Sequence, residues 1–200
     1  MRMILSRLRT PLGMVLAACD EIGRVCALEF SERRARLHRS LREQQGAYSL
    51  VDGTAPPPAV AAALGRYFAG ELQAIEDVEI RTHGTEFQER VWAELRRIPS
   101  GQTATYGQIG KAAGVADWRA AVDAGTAIGA NPVAIIVPCH RVVASDGGLK
   151  GYAWGLHRKR WLLVHEGALE AEPSSPTTAS LLYRAGEVRR RAFARQRTGD

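Results

Sequence analysis

Cysteine is scarce in this chain: Cys19, Cys26 and Cys139 are the only three. No Cys-x-x-Cys pair occurs, so neither a disulfide framework nor a four-cysteine zinc site can be built. His38 and His83 have no partners at metal-ligand spacing, and no metal is expected. Lysine is also rare, because 24 of the 27 cations are arginine. No apolar run approaches the roughly 18 residues of a membrane helix. The longest, Ala59 to Leu64 and Pro132 to Pro138, fall far short. Charges occupy Met1 to Arg7, where an export segment would be apolar. A cytoplasmic protein is expected, neither exported nor membrane-bound.

What is present is ordinary globular material. The chain has 200 residues, 46% hydrophobic and 24% charged, enough to bury a proper core. Its net charge of +6 and pI near 9.6 suggest an acidic partner, with nucleic acid the commonest.

Punctuation divides the chain into residues 1–83, 84–169 and 170–200. In the first part, Met14 to Cys19, a turn at Asp20 to Arg24, and Val25 to Phe30 read as a β-hairpin. Arg33 to Gln45 carries Leu37 and Leu41 at helical spacing, and Pro56-Pro57-Pro58 starts a helix over Ala59 to Ala69. In the second part, Thr85 with Gln88 and Thr105 with Gln108 are capping-box pairs. The first opens a helix with Phe87, Val91, Leu95 and Ile98 on one face. The second opens a short helix that runs to Gly114. A tight turn at Val115 to Asp117 then leads into another helix ending near Gly129, which makes a helix-turn-helix candidate. Val133 to Val137 reads as a buried strand, and Gly155 to Glu166 as a last helix stopped by Gly167. The third part is a Pro/Ser/Thr linker followed by a basic tail, Ser180 to Arg197. Net charge is +3 over 84–169, the largest share of the three parts.

One cluster offers chemistry. Pro138-Cys139-His140-Arg141 follows the apolar run directly. A free thiol with a pKa of about 8.5 is only slightly ionised at neutral pH, so a nucleophilic cysteine needs a base beside it. His140 is adjacent, and Glu166 could orient its ring. The adjacent pair by itself is equally compatible with a structural cysteine beside a satisfied histidine.

The surrounding residues carry a resemblance. Asn131-Pro132 before Pro138-Cys139-His140-Arg141-Val142-Val143, then Gly148-Leu149-Lys150-Gly151-Tyr152 and Arg158-Lys159-Arg160-Trp161-Leu162-Leu163 to Glu166, resemble the O6-alkylguanine-DNA alkyltransferases. So do Phe87-Gln88, Val91-Trp92, Ile98-Pro99, Gly101, Thr103 and Thr105-Tyr106-Gly107. The resemblance spans about residue 84 to Gly167, and Thr10-Pro11-Leu12-Gly13 extends it more weakly. It implies an α/β (α+β) fold: a small N-terminal β-sheet domain with a helix, RNase H-like, and a mostly helical, winged-helix-like C-terminal domain bearing the helix-turn-helix.

The resemblance also implies a mechanism. Cys139 attacks the alkyl carbon on guanine O6 in duplex DNA and keeps the group as a thioether, so one chain repairs one lesion; O4-alkylthymine is left open as a second substrate. His140 takes the thiol proton through a water, and Glu166 orients His140. Tyr106 helps rotate the base and donates to guanine N3 as the base leaves. Val142, Tyr152, Ala153 and Trp154 form the guanine pocket. Asn131 is the hinge between the recognition helix and the cysteine strand. Tyr106, Arg119, Ala121, Val122 and Arg141 contact DNA in the minor groove with the base flipped out. No cofactor is needed and a monomer is expected.

Two departures stand out. The family's recognition helix carries an arginine that fills the gap left by the flipped base. Counting back from Asn131, that position is Val122, while Arg119 lies three residues earlier. Either Arg119 serves through an insertion or the finger is absent. Trp154 stands where some relatives have glycine and is expected to narrow the pocket mouth, favouring methyl over benzyl adducts. Two other readings remain: a non-catalytic lesion-binding module and a Cys-His-Glu hydrolase.

Overall fold

A computed structural model describes residues 1–53 and 55–171. The linker beyond residue 171 and the basic tail lie outside the described residues. Three long strands open the chain: β1 (Arg2–Thr10), β2 (Gly13–Cys19) and β3 (Val25–Phe30). They pair antiparallel in sequence, with Leu8 opposite Val15 and Val15 opposite Phe30. After helix α1 (Arg34–Gln45), β4 (Ser49–Asp52) returns parallel to β1 and completes the order β3-β2-β1-β4. The hairpin and α1 lie where the apolar spacing predicts them. β1 and β4 did not stand out in the sequence.

The two sheet faces bury different partners. Met3, Leu5, Leu16, Ala18, Cys26 and Ala27 pack with Leu37 and Leu41 of α1. The opposite face carries Leu8, Val15, Ala17, Leu28 and Phe30, which join a larger core. That core includes Val60, Leu64 and Tyr67 of α2 (Pro58–Phe68) and Val91, Trp92 and Leu95 of α3 (Glu86–Arg96). Residues Met1–Leu169 form one compact unit, and this core runs across the change from sheet to helices at residues 83–84.

Both predicted capping boxes form. Thr85 Oγ1 accepts from Gln88 N at 3.2 Å and Gln88 Oε1 accepts from Thr85 N at 2.9 Å. Thr105 and Gln108 repeat the pair at 3.2 and 2.7 Å and start α4 (Tyr106–Ala112). Each box satisfies two amide groups that a helix start otherwise leaves open. α4 and α5 (Ala120–Gly129) pack across a tight turn. Gly110 makes that contact possible: a Cβ there would lie 2.0 Å from the Ala120 carbonyl oxygen.

The predicted strand over Val133 to Val137 is not one. Only Val133 bridges to the sheet, opposite Leu28. Leu28 N donates to Pro132 O at 3.0 Å and Ala134 N to Leu28 O at 2.9 Å. The chain then turns, with Ile136 N donating to Ala134 O at 2.7 Å. Ile135 takes φ of 67°, a left-handed conformation that strains a β-branched residue. Burial explains the misreading, since all of 131–143 is buried and apolar content alone does not separate a strand from a packed turn. A short pairing of β5 (Ala104–Thr105) with β6 (Val142–Val143) and the final helix α6 (Leu156–His165) close the fold. No helix among the described residues is long and apolar enough to cross a membrane.

Candidate active site

Asn131 organises the turn that presents the thiol. Its Nδ2 donates to Val137 O at 2.9 Å and to Cys139 Sγ at 3.3 Å. Its Oδ1 accepts from Val133 N at 2.9 Å. One side chain thus does for this loop what a neighbouring strand would do for a sheet segment. Cys139 opens a single turn of 3-10 helix, Cys139–Arg141, and is only 3% exposed. Burial pushes its thiol up to about 11, against the pull of the Asn131 bond and the Lys159 charge. The resting group is a thiol, so any nucleophilic step needs a base to take its proton.

A candidate base is next in sequence. His140 is fully buried, and burial lowers its pKa, so the ring is neutral at pH 7. Its Nε2 lies 3.0 Å from Glu166 Oε1. A carboxylate only accepts, so Nε2 carries the proton and Nδ1 keeps its lone pair. Nδ1 is buried and finds no hydrogen-bond partner among the described residues. The ring is therefore set as an acceptor on the nitrogen facing away from Glu166.

Glu166 is the hub. Tyr67 Oη donates to its Oε1 at 2.7 Å. Arg141 donates Nε to Oε2 and Nη2 to Oε1, both at 2.8 Å. Burial alone would raise the Glu166 pKa. The bonds from His140 and Arg141 and the Arg141 charge outweigh it, so the group stays well below the usual carboxylate range.

This arrangement corrects one sequence expectation. Arg141 cannot reach DNA phosphates, because it is 2% exposed and its guanidinium is held by Glu166, the Ile98 carbonyl and Ser100 Oγ. It is a structural counter-charge. Trp154 also departs from expectation. Its indole does not stand at a pocket mouth but is buried, donates to Glu29 Oε1, and lies under the Arg36 guanidinium at 4.8 Å. The ring of Tyr152, another predicted pocket residue, meets it edge-on at 5.0 Å. The argument for methyl over benzyl adducts loses its basis.

The other predicted pocket residues do gather here. Val142 is fully buried beside the cysteine turn, and Ala153 is half-buried. The Tyr152 hydroxyl is buried with no partner among the described residues. Tyr106, the first residue of α4, is half-buried and donates its hydroxyl to Lys150 O at 2.7 Å. Arg119, the N-cap of α5, and Ala121 and Val122 in its first turn are exposed.

Three side chains that bond to the residues around this site escaped the sequence reading. Tyr67 comes from α2, on the far side of the chain from Glu166 in sequence. Lys159 is fully buried and donates to Val142 O at 2.6 Å and Lys150 O at 2.9 Å; burial lowers its pKa to about 8. A lysine three and four residues before Leu162 and Leu163 on one helix face was the available signal. Arg36 of α1 bridges Glu29 at 2.7 Å to the Gly129 and Asn131 carbonyls at 2.8 and 2.9 Å, and nothing local marks it.

Residues 86–168 match the DNA-binding domain of 6-O-methylguanine DNA methyltransferase. The chain is 43% identical over 171 residues to a methylated-DNA–protein-cysteine methyltransferase of Salmonella typhimurium, covering 84% of this chain and 98% of the relative. A solved structure of Mycobacterium tuberculosis OGT in complex with DNA superposes with a TM-score of 0.68 at 36% identity, covering 82% of this chain and 93% of that one. The O6-methylguanine-DNA methyltransferase of Pyrococcus kodakaraensis superposes with a TM-score of 0.63 at 28% identity, covering 82% and 99%.

Proposed function

The chain belongs to the 6-O-methylguanine DNA methyltransferase family, and from that premise we propose how its own residues carry out the reaction. It is a DNA-repair methyltransferase that moves an alkyl group from DNA to a cysteine. Cys139 is that cysteine. His140 takes the thiol proton on Nδ1, by way of a water, while Glu166 holds the ring from the other side. The sulfur then forms a bond to the alkyl carbon as the bond from that carbon to guanine O6 breaks. The guanine leaves with a hydrogen bond or proton from Tyr106 Oη at N3, after that hydroxyl exchanges its Lys150 contact. The thioether is permanent, so one chain acts once.

The arrangement around Glu166 carries this reading. A neutral histidine with its proton fixed toward a carboxylate is built to accept a proton from a neighbouring thiol. The reading includes finer features: an RNase H-like sheet domain and a winged-helix-like helical part. α4 and α5 act as a helix-turn-helix in the minor groove, on a flipped base and as a monomer in the cytoplasm. The burial of Cys139 supports flipping, since a stacked base would not meet a thiol 3% exposed. A lesion-binding role without transfer has one observation in its favour, the absence of an arginine at position 122.

The test is mass spectrometry of the protein mixed with a duplex bearing one O6-methylguanine. One added methyl, on the peptide containing Cys139 and never more than one per chain, is expected. Binding of the duplex with no methyl on that peptide would replace this reading with the lesion-binding one.

A further inference from the structure

Two large apolar side chains stand in water on α4–α5. Trp118 is 83% exposed and Val122 is 63% exposed. Trp118 stands in the turn just before Arg119, the N-cap of α5. Within α5, Val122 and Gly125 are three residues apart and share one side of the helix. A Cβ at Gly125 would meet the Tyr106 ring at 3.8 Å. The side that carries the exposed Val122 thus leads to the tyrosine at the edge of the cysteine site, with the exposed indole at the start of the helix.

Arg119 does not share this role. It is the N-cap of α5 (Ala120–Gly129), three residues before Val122. Its amide donates to Asp117 Oδ1 at 2.8 Å and its Nε lies 3.7 Å from Asp123 Oδ2. Asp123 would also repel phosphate.

We propose that Trp118 and Val122 form an apolar wedge that enters the base stack and fills the gap left by the extruded guanine. The inference rests on the alkyl-transfer reading above. A base that must reach a thiol 3% exposed leaves a hole in the duplex. Proteins that distort DNA from the minor groove fill such openings with apolar side chains, which stack on or between bases without needing a charge. Val122 is the inner element, one turn from Gly125 and Tyr106. Trp118 is the outer one, with a flat face suited to a neighbouring base.

The test compares wild type with W118A, V122A and the double variant, each checked for an unchanged circular dichroism melt. Single-turnover methyl transfer is measured from O6-methylguanine in a duplex and in a single strand of the same sequence, which has no paired stack to fill. The wedge predicts at least a tenfold loss on the duplex for the double variant and less than a twofold change on the single strand. Equal losses on both substrates, or no loss on either, would overturn it. A second readout needs no chemistry: 2-aminopurine in place of the lesion brightens when it leaves the stack. The double variant should lose that signal at saturating protein. If wild type extrudes 2-aminopurine but never methylates Cys139, the transfer reading fails while the wedge stands. If the variants extrude it as well as wild type does, the wedge is wrong whatever the chemistry.

Discussion

Glu166 serves four donors from three residues, and its removal should be felt through all of them. In Glu166→Gln the Arg141 guanidinium stays buried beside a neutral amide. Breaking a buried pair in this way costs about 3–5 kcal/mol, which urea denaturation would read directly. The pH dependence follows from two depressed groups. His140 titrates below its ordinary 6.5 in the folded chain, so its contribution is complete above 6.5 and is lost as pH falls. Glu166 lies well below its ordinary 4.5, so its contribution is complete above 4.5 and declines beneath it. Stability should therefore begin to fall below 6.5 and fall more steeply below 4.5; Glu166→Gln should shrink the second phase, to which Asp20 and Glu32 still contribute, and should extend the first to lower pH, because the Glu166 charge favours the protonated ring. At this scale the sequence was informative where residues lie close together. Cys139 and His140 are neighbours, and Glu166 closes the helix that the resemblance covers. Tyr67 reaches Glu166 only because α2 folds back onto α6, a fact that no local pattern contains.

Helices were easier to read than the loop between them. Both capping boxes were legible because an N-cap and its partner three residues on are chemically specific. The turn over Val133 to Val137 was not, because its backbone is satisfied by the Asn131 side chain and by internal turns instead of a strand ladder. β4 is short and mostly exposed and carries no strong alternation. The α4–α5 contact gives a sharp element-scale prediction. Gly110→Ala would press a methyl group against the Ala120 backbone, and overpacking of this kind costs about 1–3 kcal/mol. A lower thermal midpoint and weaker duplex binding are expected together, since the same contact sets the angle of α5. An unchanged midpoint would mean the helices separate freely.

The whole chain carries +6, with its largest share over the residues that match the DNA-binding domain. Affinity for any duplex should fall linearly on a log–log plot against salt, with a slope near −0.9 for each phosphate neutralised. A flat response in a fluorescence-anisotropy titration would deny the phosphate contacts. The boundary expected at residue 83 was visible as punctuation ahead of the Thr85 capping box. The core that runs across it was not, because it is assembled by contacts between Leu28, Val133 and their neighbours that are distant in sequence. The four tryptophans are distributed unevenly through this structure. Trp92 and Trp154 are sealed in the interior, Trp161 is partly open, and Trp118 stands in solvent just before α5. The protein therefore carries its own optical labels: blue-shifted emission that reports whether the interior is intact, and a red edge, dominated by Trp118, that answers to whatever lies against α5.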